Sequence, residues 1–73
     1  MTNYWYLSRN HEYPKPSWHV KSVQLNKYGS IIEMEREATE NELFICDLVY
    51  LGKGQWNDEH IQNKYEGYKR GVK

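Results

Sequence analysis

The chain begins with a stretch of alternating side chains that predicts an extended strand. Residues 4–9 read YWYLSR and are rich in residues that favour β-strands. Successive side chains of a strand point to opposite faces, so Trp5 and Leu7 share one face while Tyr4 and Tyr6 share the other. We expect Trp5 to belong to the core and the flanking tyrosines to form a surface for a partner.

A second strand and a hairpin turn are predicted further along. Pro14 and Pro16 first fix a short extended connection. In residues 17–25 the hydrophobic positions change face near Lys21, which indicates a β-bulge there or partial cover of both faces. The sequence NKYG at residues 26–29 fits a type I turn closed by a glycine, which links antiparallel strands.

A third strand is predicted from its alternation of apolar and acidic residues. Ile32 and Met34 alternate with glutamates, so they can meet Val23 and Leu25 across the hairpin. Carboxylates recur at every second position, which on a strand places them on one solvated face: Glu33, Glu35 and Glu37. This acidic stripe protects a sheet edge in the simpler interpretation and docks on a basic partner in the functional one.

Residues 39–52, which read TENELFICDLVYLG, permit two interpretations. Thr39 and Glu42 form a T-x-x-E capping box, and Gly52 stands where a helix would end, which favours a helix from about Glu40 to Leu51. The same segment is apolar on almost all sides of a helical wheel and rich in β-formers. A fourth strand, paired with the third, is therefore the alternative.

The C-terminal segment predicts another helix. Its pattern starts after a good N-cap and puts three apolar or aromatic side chains on one face: Ile61, Tyr65 and Tyr68. Asn57 and Asp58 are the two candidate N-caps. We expect the helix to extend to Gly67 and residues 68–73 to form a frayed tail.

These elements predict a single α+β domain over residues 1–73. We expect a three-stranded antiparallel sheet followed by two helices, and the alternative is a four-stranded sheet plus one C-terminal helix. A small core could be built largely from rings, since each buried ring removes roughly 150–250 Å² from water: Trp5, Trp18, Trp56 and Phe44. The seven tyrosines exceed what such a core can hold, so some rings should lie on the surface.

Charge is segregated along the chain although the net charge is zero. Residues 1–29 carry a net charge of +3, residues 30–49 carry −5 and residues 50–73 carry +2. A duplex-binding domain usually has a clear basic excess because it must displace counterions from phosphates, so nucleic-acid binding is less expected. The best candidate site for nucleic acid is a group of basic and aromatic residues: Lys64, Tyr65, Tyr68, Lys69 and Arg70. In the simpler interpretation these tyrosines face the core and the lysines face water.

The sequence indicates neither catalytic nor metal chemistry. Cys46 is the single cysteine, so it can form no intramolecular disulfide, and it lies in the most apolar segment, where burial makes a thiol inert. The spacing of His11, His19, His60 and Cys46 matches no zinc-ligand pattern. We expect no enzymatic activity, no cofactor and no bound metal.

We expect the protein to be cytoplasmic, without membrane contact, and a monomer or small homo-oligomer. The most apolar run, residues 43–51, is nine residues long and contains Asp47, against the roughly 20 apolar residues needed to cross a bilayer. No basic head followed by an apolar stretch is visible at the N-terminus. The cysteine usage suits a reducing compartment.

Several features form a profile: the short chain, the YWY at residues 4–6, the acidic run EMEREATENE at 33–42 and the aromatic tail KYEGYKRG at 64–71. This profile resembles the small host-takeover proteins of bacteriophages, above all the short early inhibitors that bind host RNA polymerase. The resemblance implies a non-enzymatic regulator in the host cytoplasm that binds RNA polymerase or another transcription component and blocks or alters its activity.

We expect three residues to anchor such a contact and three to steer it. The anchors are Tyr4, Tyr6 and Arg9, and the steering residues are Glu33, Glu35 and Glu37. The alternative is a small nucleic-acid-binding regulator that uses the basic and aromatic C-terminal helix.

Overall fold

The computed structural model describes residues 2–15 and 19–71, which form a four-stranded antiparallel sheet and two helices. The elements follow one another as β1 (Tyr4–Ser8), β2 (Val20–Asn26), β3 (Gly29–Met34), α1 (Glu40–Ile45), β4 (Leu48–Lys53) and α2 (Glu59–Gly71). In the described sheet the strands lie in the order β2-β3-β1-β4, so β2 and β4 are its edges. The α+β class is confirmed. The three-stranded sheet is wrong because β4 adds to β1 as a fourth strand, while both helices are present.

The ambiguous segment is both a helix and a strand. The predicted capping box starts α1: the Thr39 hydroxyl accepts a hydrogen bond from the Glu42 amide, and the Glu42 carboxylate accepts one from the Thr39 amide. Asp47 then takes a left-handed conformation with φ of 49°, which ends a helix. The prediction that the helix reaches Leu51 is wrong because β1 offers this backbone a strand partner, with Tyr6 opposite Tyr50.

The hairpin between β2 and β3 is confirmed. Asn26 pairs with Gly29, whose φ is 138°. A Cβ atom on Gly29 would lie 2.3 Å from the carbonyl oxygen of Ser8, so this turn requires glycine. The predicted bulge lies between Val20 and Ser22. Pro16, Ser17 and Trp18, including the predicted start of this strand and one predicted core ring, lie outside the described residues.

Each face of the sheet packs against one helix. Successive side chains of β1 point to opposite faces, so they enter two different buried clusters. One cluster lies under α2, on what we call the α2 face: Trp5, Leu7, Ile31, Leu51, Ile61 and Tyr65. The other lies under α1, on the α1 face: Tyr6, Ile32, Met34, Cys46 and Leu48. Both faces of the central strand β1 are therefore core.

Helix α2 begins directly after Asp58 and continues past Gly67 to Gly71. The carbonyl of Asp58 accepts hydrogen bonds from the amides of Ile61 and Gln62. As the periodicity predicted, Ile61 and Tyr65 are buried, and Tyr68 is half-buried against the same cluster. None of the described helices has the length and apolar character needed to cross a membrane.

Candidate functional site

The two tyrosines of β1 pack in or against the buried cluster on the α1 face. Tyr6 is only 3% exposed, and its hydroxyl accepts a hydrogen bond of 2.9 Å from the amide of Ala38. Burial raises the pKa of Tyr6. Tyr4 is half-buried against the same cluster. The tyrosine face of β1 is therefore covered, and the ring of Tyr6 is not open to a partner in this structure.

Tyr50 on β4 packs against Tyr6 and is partly exposed to solvent. Its ring packs on that of Tyr6, with 5.3 Å between the centroids and 49° between the planes, and Tyr50 is 44% exposed. Both rings line a cavity of about 270 Å³ together with Glu37 and Leu43. Desolvation raises the pKa of Tyr50, so its hydroxyl remains protonated at neutral pH and can donate a hydrogen bond. Tyr50 was not predicted as a surface residue because the residues around it were expected to form a helix.

Helix α1 exposes two of its most apolar residues. Phe44 is 86% exposed and Ile45 is 57% exposed. Leu43 and Cys46 pack against the sheet, and because each residue turns a helix by about 100°, the two residues between them point away. The prediction that Phe44 belongs to the core is therefore wrong.

Six large apolar side chains are exposed within residues 2–15 and 19–71, and all six lie on α1, beside it, or on strands of the sheet on the side that α1 covers. Val23 lies opposite the buried Ile32, and Leu25 lies opposite Ser30 on the same side of β2. Tyr13 belongs to a loop that lines a cavity with α1. We call the whole set the apolar α1 surface: Tyr13, Val23, Leu25, Phe44, Ile45 and Tyr50. The α2 face differs, because its large apolar side chains are buried or half-buried under a helix of 13 residues.

The predicted acidic stripe is divided between the faces of the sheet. Glu33 lies on the α2 face and accepts hydrogen bonds from the side chains of Asn3 and Ser22. Strand β3 ends before Glu35, so the alternation does not continue. Glu37 lines the cavity beside the Tyr6 and Tyr50 rings, and it is the member of the stripe that borders the apolar α1 surface in the described structure.

Arg9 joins the end of β1 to the turn before β4. Its guanidinium forms an ion pair with the carboxylate of Asp47, and its amide donates a hydrogen bond to the Asp47 carbonyl at 3.1 Å. The side-chain hydrogen bond from Arg9 to Asp47 raises the pKa of Arg9. Arg9 is exposed, but its charge is already matched within the chain.

The residues of α2 that were predicted to bind nucleic acid lie in different environments. Tyr65 is 7% exposed, and its hydroxyl donates a hydrogen bond of 2.8 Å to the side chain of the last residue of β2. Tyr68 is half-buried, and Lys69 forms an ion pair with a glutamate one turn earlier while lying near two tyrosine rings. Lys64 and Arg70 are exposed. The structure therefore agrees with the simpler interpretation for the Tyr65 ring, which packs in the core.

Cys46 is 3% exposed at the end of α1. Burial raises the pKa of its thiol, so the sulfur is protonated at neutral pH. In the described part of the chain, no group of three or more histidine, cysteine or acidic side chains could hold a metal ion.

Comparisons with protein families, with curated proteins and with solved structures find no match. We therefore infer a function from the geometry of this chain. Its main asymmetry is the apolar α1 surface, and exposed apolar surface on one side of a small domain is typical of protein-binding sites.

Proposed function

We propose that this protein is a non-enzymatic regulator that binds a host protein through the apolar α1 surface. The partner is RNA polymerase or another component of transcription, as the resemblance to phage host-takeover proteins implies, and binding blocks or alters its activity. One observation supports the contact surface above all. The six exposed large apolar side chains of the described chain lie on α1, in the loop beside it, or on strands of the sheet on the side that α1 covers.

The exposure of Phe44 and Leu25 provides the driving force for such a contact. They are 86% and 82% exposed, and burying a side chain of this kind contributes roughly 1.5–3 kcal/mol. A few such residues dominate the affinity of a typical protein interface. In a domain of 73 residues the core is small, so apolar side chains left in water represent a substantial share of the burial available.

Tyr50 takes the anchoring role that the sequence assigned to Tyr6. It offers a ring for burial and a hydroxyl for a hydrogen bond, and tyrosine is enriched among interface hot spots. The buried ring of Tyr6 packs against the ring of Tyr50. Glu37 lies beside the pair and gives the surface a negative charge, which steers it towards a basic region of the partner. Tyr4 and Arg9 are not among the six exposed side chains that form the proposed contact.

Retention of purified bacterial RNA polymerase by the immobilised protein tests this proposal. We expect wild-type protein to retain the polymerase and the Phe44→Ser variant to lose at least tenfold in affinity, since each 1.4 kcal/mol corresponds to a factor of ten. Asn63→Ser is the control because Asn63 is an exposed polar residue of α2, on the other side of the sheet. If wild-type protein did not bind, or both variants bound equally well, the proposed partner or the proposed surface would be wrong.

A further inference from the structure

A groove runs along the free edge of β4, between this strand and α2. Its first part has a volume of about 550 Å³ and is lined by five consecutive residues, Val49 to Lys53, with His60 and Lys64. A second part of about 310 Å³ adjoins it at Val49 and Lys64 and continues to Gly67 and Tyr68. The two parts form one path beside the sheet edge.

The strand side of this groove is a free sheet edge. In the described sheet β4 pairs with β1 alone, so alternate backbone N–H and C=O groups of β4 point outwards without a neighbouring strand. The sequence of β4, LVYLGK, contains no proline to block that edge. Because the lining includes residues of both parities, the groove follows the backbone of β4 rather than one of its faces.

The helix side of the groove leaves room for another chain. His60, Lys64 and Gly67 recur at spacings of four and three residues and therefore lie along one side of α2. A Cβ atom on Gly67 would meet no atom within 4 Å. His60 is fixed by its Nε2 atom, which donates a hydrogen bond of 2.9 Å to the Lys53 carbonyl.

The charge of the groove is positive. Lys53 and Lys64 line it, and neither forms an ion pair with any other described residue. The described lining of both parts contains no carboxylate. On the α1 side of the same edge, the half-exposed ring of Tyr50 offers an apolar contact.

We propose that this groove binds an extended acidic segment of a partner protein, which adds to the sheet as a fifth strand next to β4. Backbone hydrogen bonds to β4 supply affinity, and side chains that alternate between acidic and apolar match Lys64 on one side and Tyr50 on the other. The His60 hydrogen bond occupies the Lys53 carbonyl, so the added strand pairs with the part of β4 before Lys53. This site goes beyond the proposed function. It shares Tyr50 with the apolar α1 surface, but the groove lies between β4 and α2 and does not depend on RNA polymerase as the partner.

Binding of a fluorescent peptide to the full chain tests this inference. The probe is a capped seven-residue peptide of alternating glutamate and valine, with its lysine and valine counterpart for comparison. We expect the acidic peptide to bind, and Lys64→Glu to weaken it at least tenfold. Lys27→Glu makes the same charge change in the β2–β3 turn, and we expect it to change the affinity less than twofold.

N-methylated peptides test the strand addition itself. Only alternate amides of an added strand point towards β4, so methylation of one alternate set should abolish binding while methylation of the other set leaves it intact. Equal effects of the two sets, equal binding of the lysine peptide, or no binding of the acidic peptide would overturn the proposal. Tighter binding of oligothymidylate that Lys64→Glu removes would assign the groove to nucleic acid, and a dimer that excludes the acidic peptide would assign it to a second copy.

Discussion

The buried ring of Tyr6 packs directly against the half-exposed ring of Tyr50, with 5.3 Å between their centroids. The two residues face each other across the β1 and β4 pairing. Their hydroxyls differ in function, since that of Tyr6 accepts a hydrogen bond from the Ala38 amide. One tyrosine therefore fixes the chain that leads into α1, and the other presents a surface for contact.

This difference predicts that the same substitution, tyrosine to phenylalanine, destabilises the protein at position 6 and has little effect at position 50. Tyr6→Phe leaves the Ala38 amide without its acceptor, so we expect the free energy of unfolding to fall by about 1–2 kcal/mol. Tyr50→Phe removes a hydroxyl that no described side chain depends on, so the change should stay within about 0.5 kcal/mol. Urea unfolding followed by tryptophan fluorescence measures both values. Equal losses would contradict the assigned role of the Tyr6 hydroxyl.

The ion pair between Arg36 and Glu42 predicts a loss of stability in acid. Hydrogen bonds from Arg36 lower the pKa of Glu42 from 4.5 to about 2. Below about pH 4.5 the unfolded chain takes up a proton that the folded chain resists, so the contribution of Glu42 is complete above this pH and disappears as the pH falls towards 2.

The Glu42→Gln variant makes this contribution measurable. We expect it to lower the free energy of unfolding by about 1–2 kcal/mol at pH 7, since it weakens both a partly exposed ion pair and the α1 cap. The difference from wild type should vanish towards pH 2. Asn41→Ser, at an exposed position in the same turn that carries no titratable group, should show no such dependence. A deficit in Glu42→Gln that is constant with pH would rule out the proposed coupling.

Two glycine-to-alanine substitutions should change stability in opposite directions. Gly29→Ala places a Cβ atom 2.3 Å from the Ser8 carbonyl at a φ of 138°, and we expect a loss of more than about 2 kcal/mol. Gly67→Ala meets open space within α2, where alanine is favoured by about 0.8–1 kcal/mol. Thermal unfolding tests the pair, and stabilisation by Gly29→Ala would show that the hairpin does not depend on this glycine.

The hairpin and both helix starts were predictable because local chemistry determines them. A capping box needs Thr39 and Glu42 alone, and the tight turn needs Gly29. The sequence position of the bulge near Lys21 was also visible, since the hydrophobic parity changes there. These features depend on a few neighbouring residues, which a single sequence contains.

Strand β4 and the exposed part of α1 were not predictable in the same way. The helix from Glu40 stops because Asp47 adopts a left-handed conformation and β1 has a free side for another strand, and the second condition is a long-range contact. Phe44 then lies on a helix of six residues that covers only part of a face. Its exposure depends on this packing, so the sequence placed it in the core and missed Tyr50 as a surface ring.

Two neighbouring residues of β2 point to opposite faces of the sheet, so their variants distinguish the apolar α1 surface from the α2 face. Leu25 points to the α1 face, whereas Gln24 is exposed on the α2 face opposite Ile31. Neither side chain belongs to a buried cluster, so serine at either position should leave the fold intact. We expect Leu25→Ser to weaken binding of purified bacterial RNA polymerase at least tenfold, in titrations read by fluorescence anisotropy, and Gln24→Ser to bind like wild type. Equal affinities of the two variants would contradict the assignment of the α1 surface as the contact with the host protein.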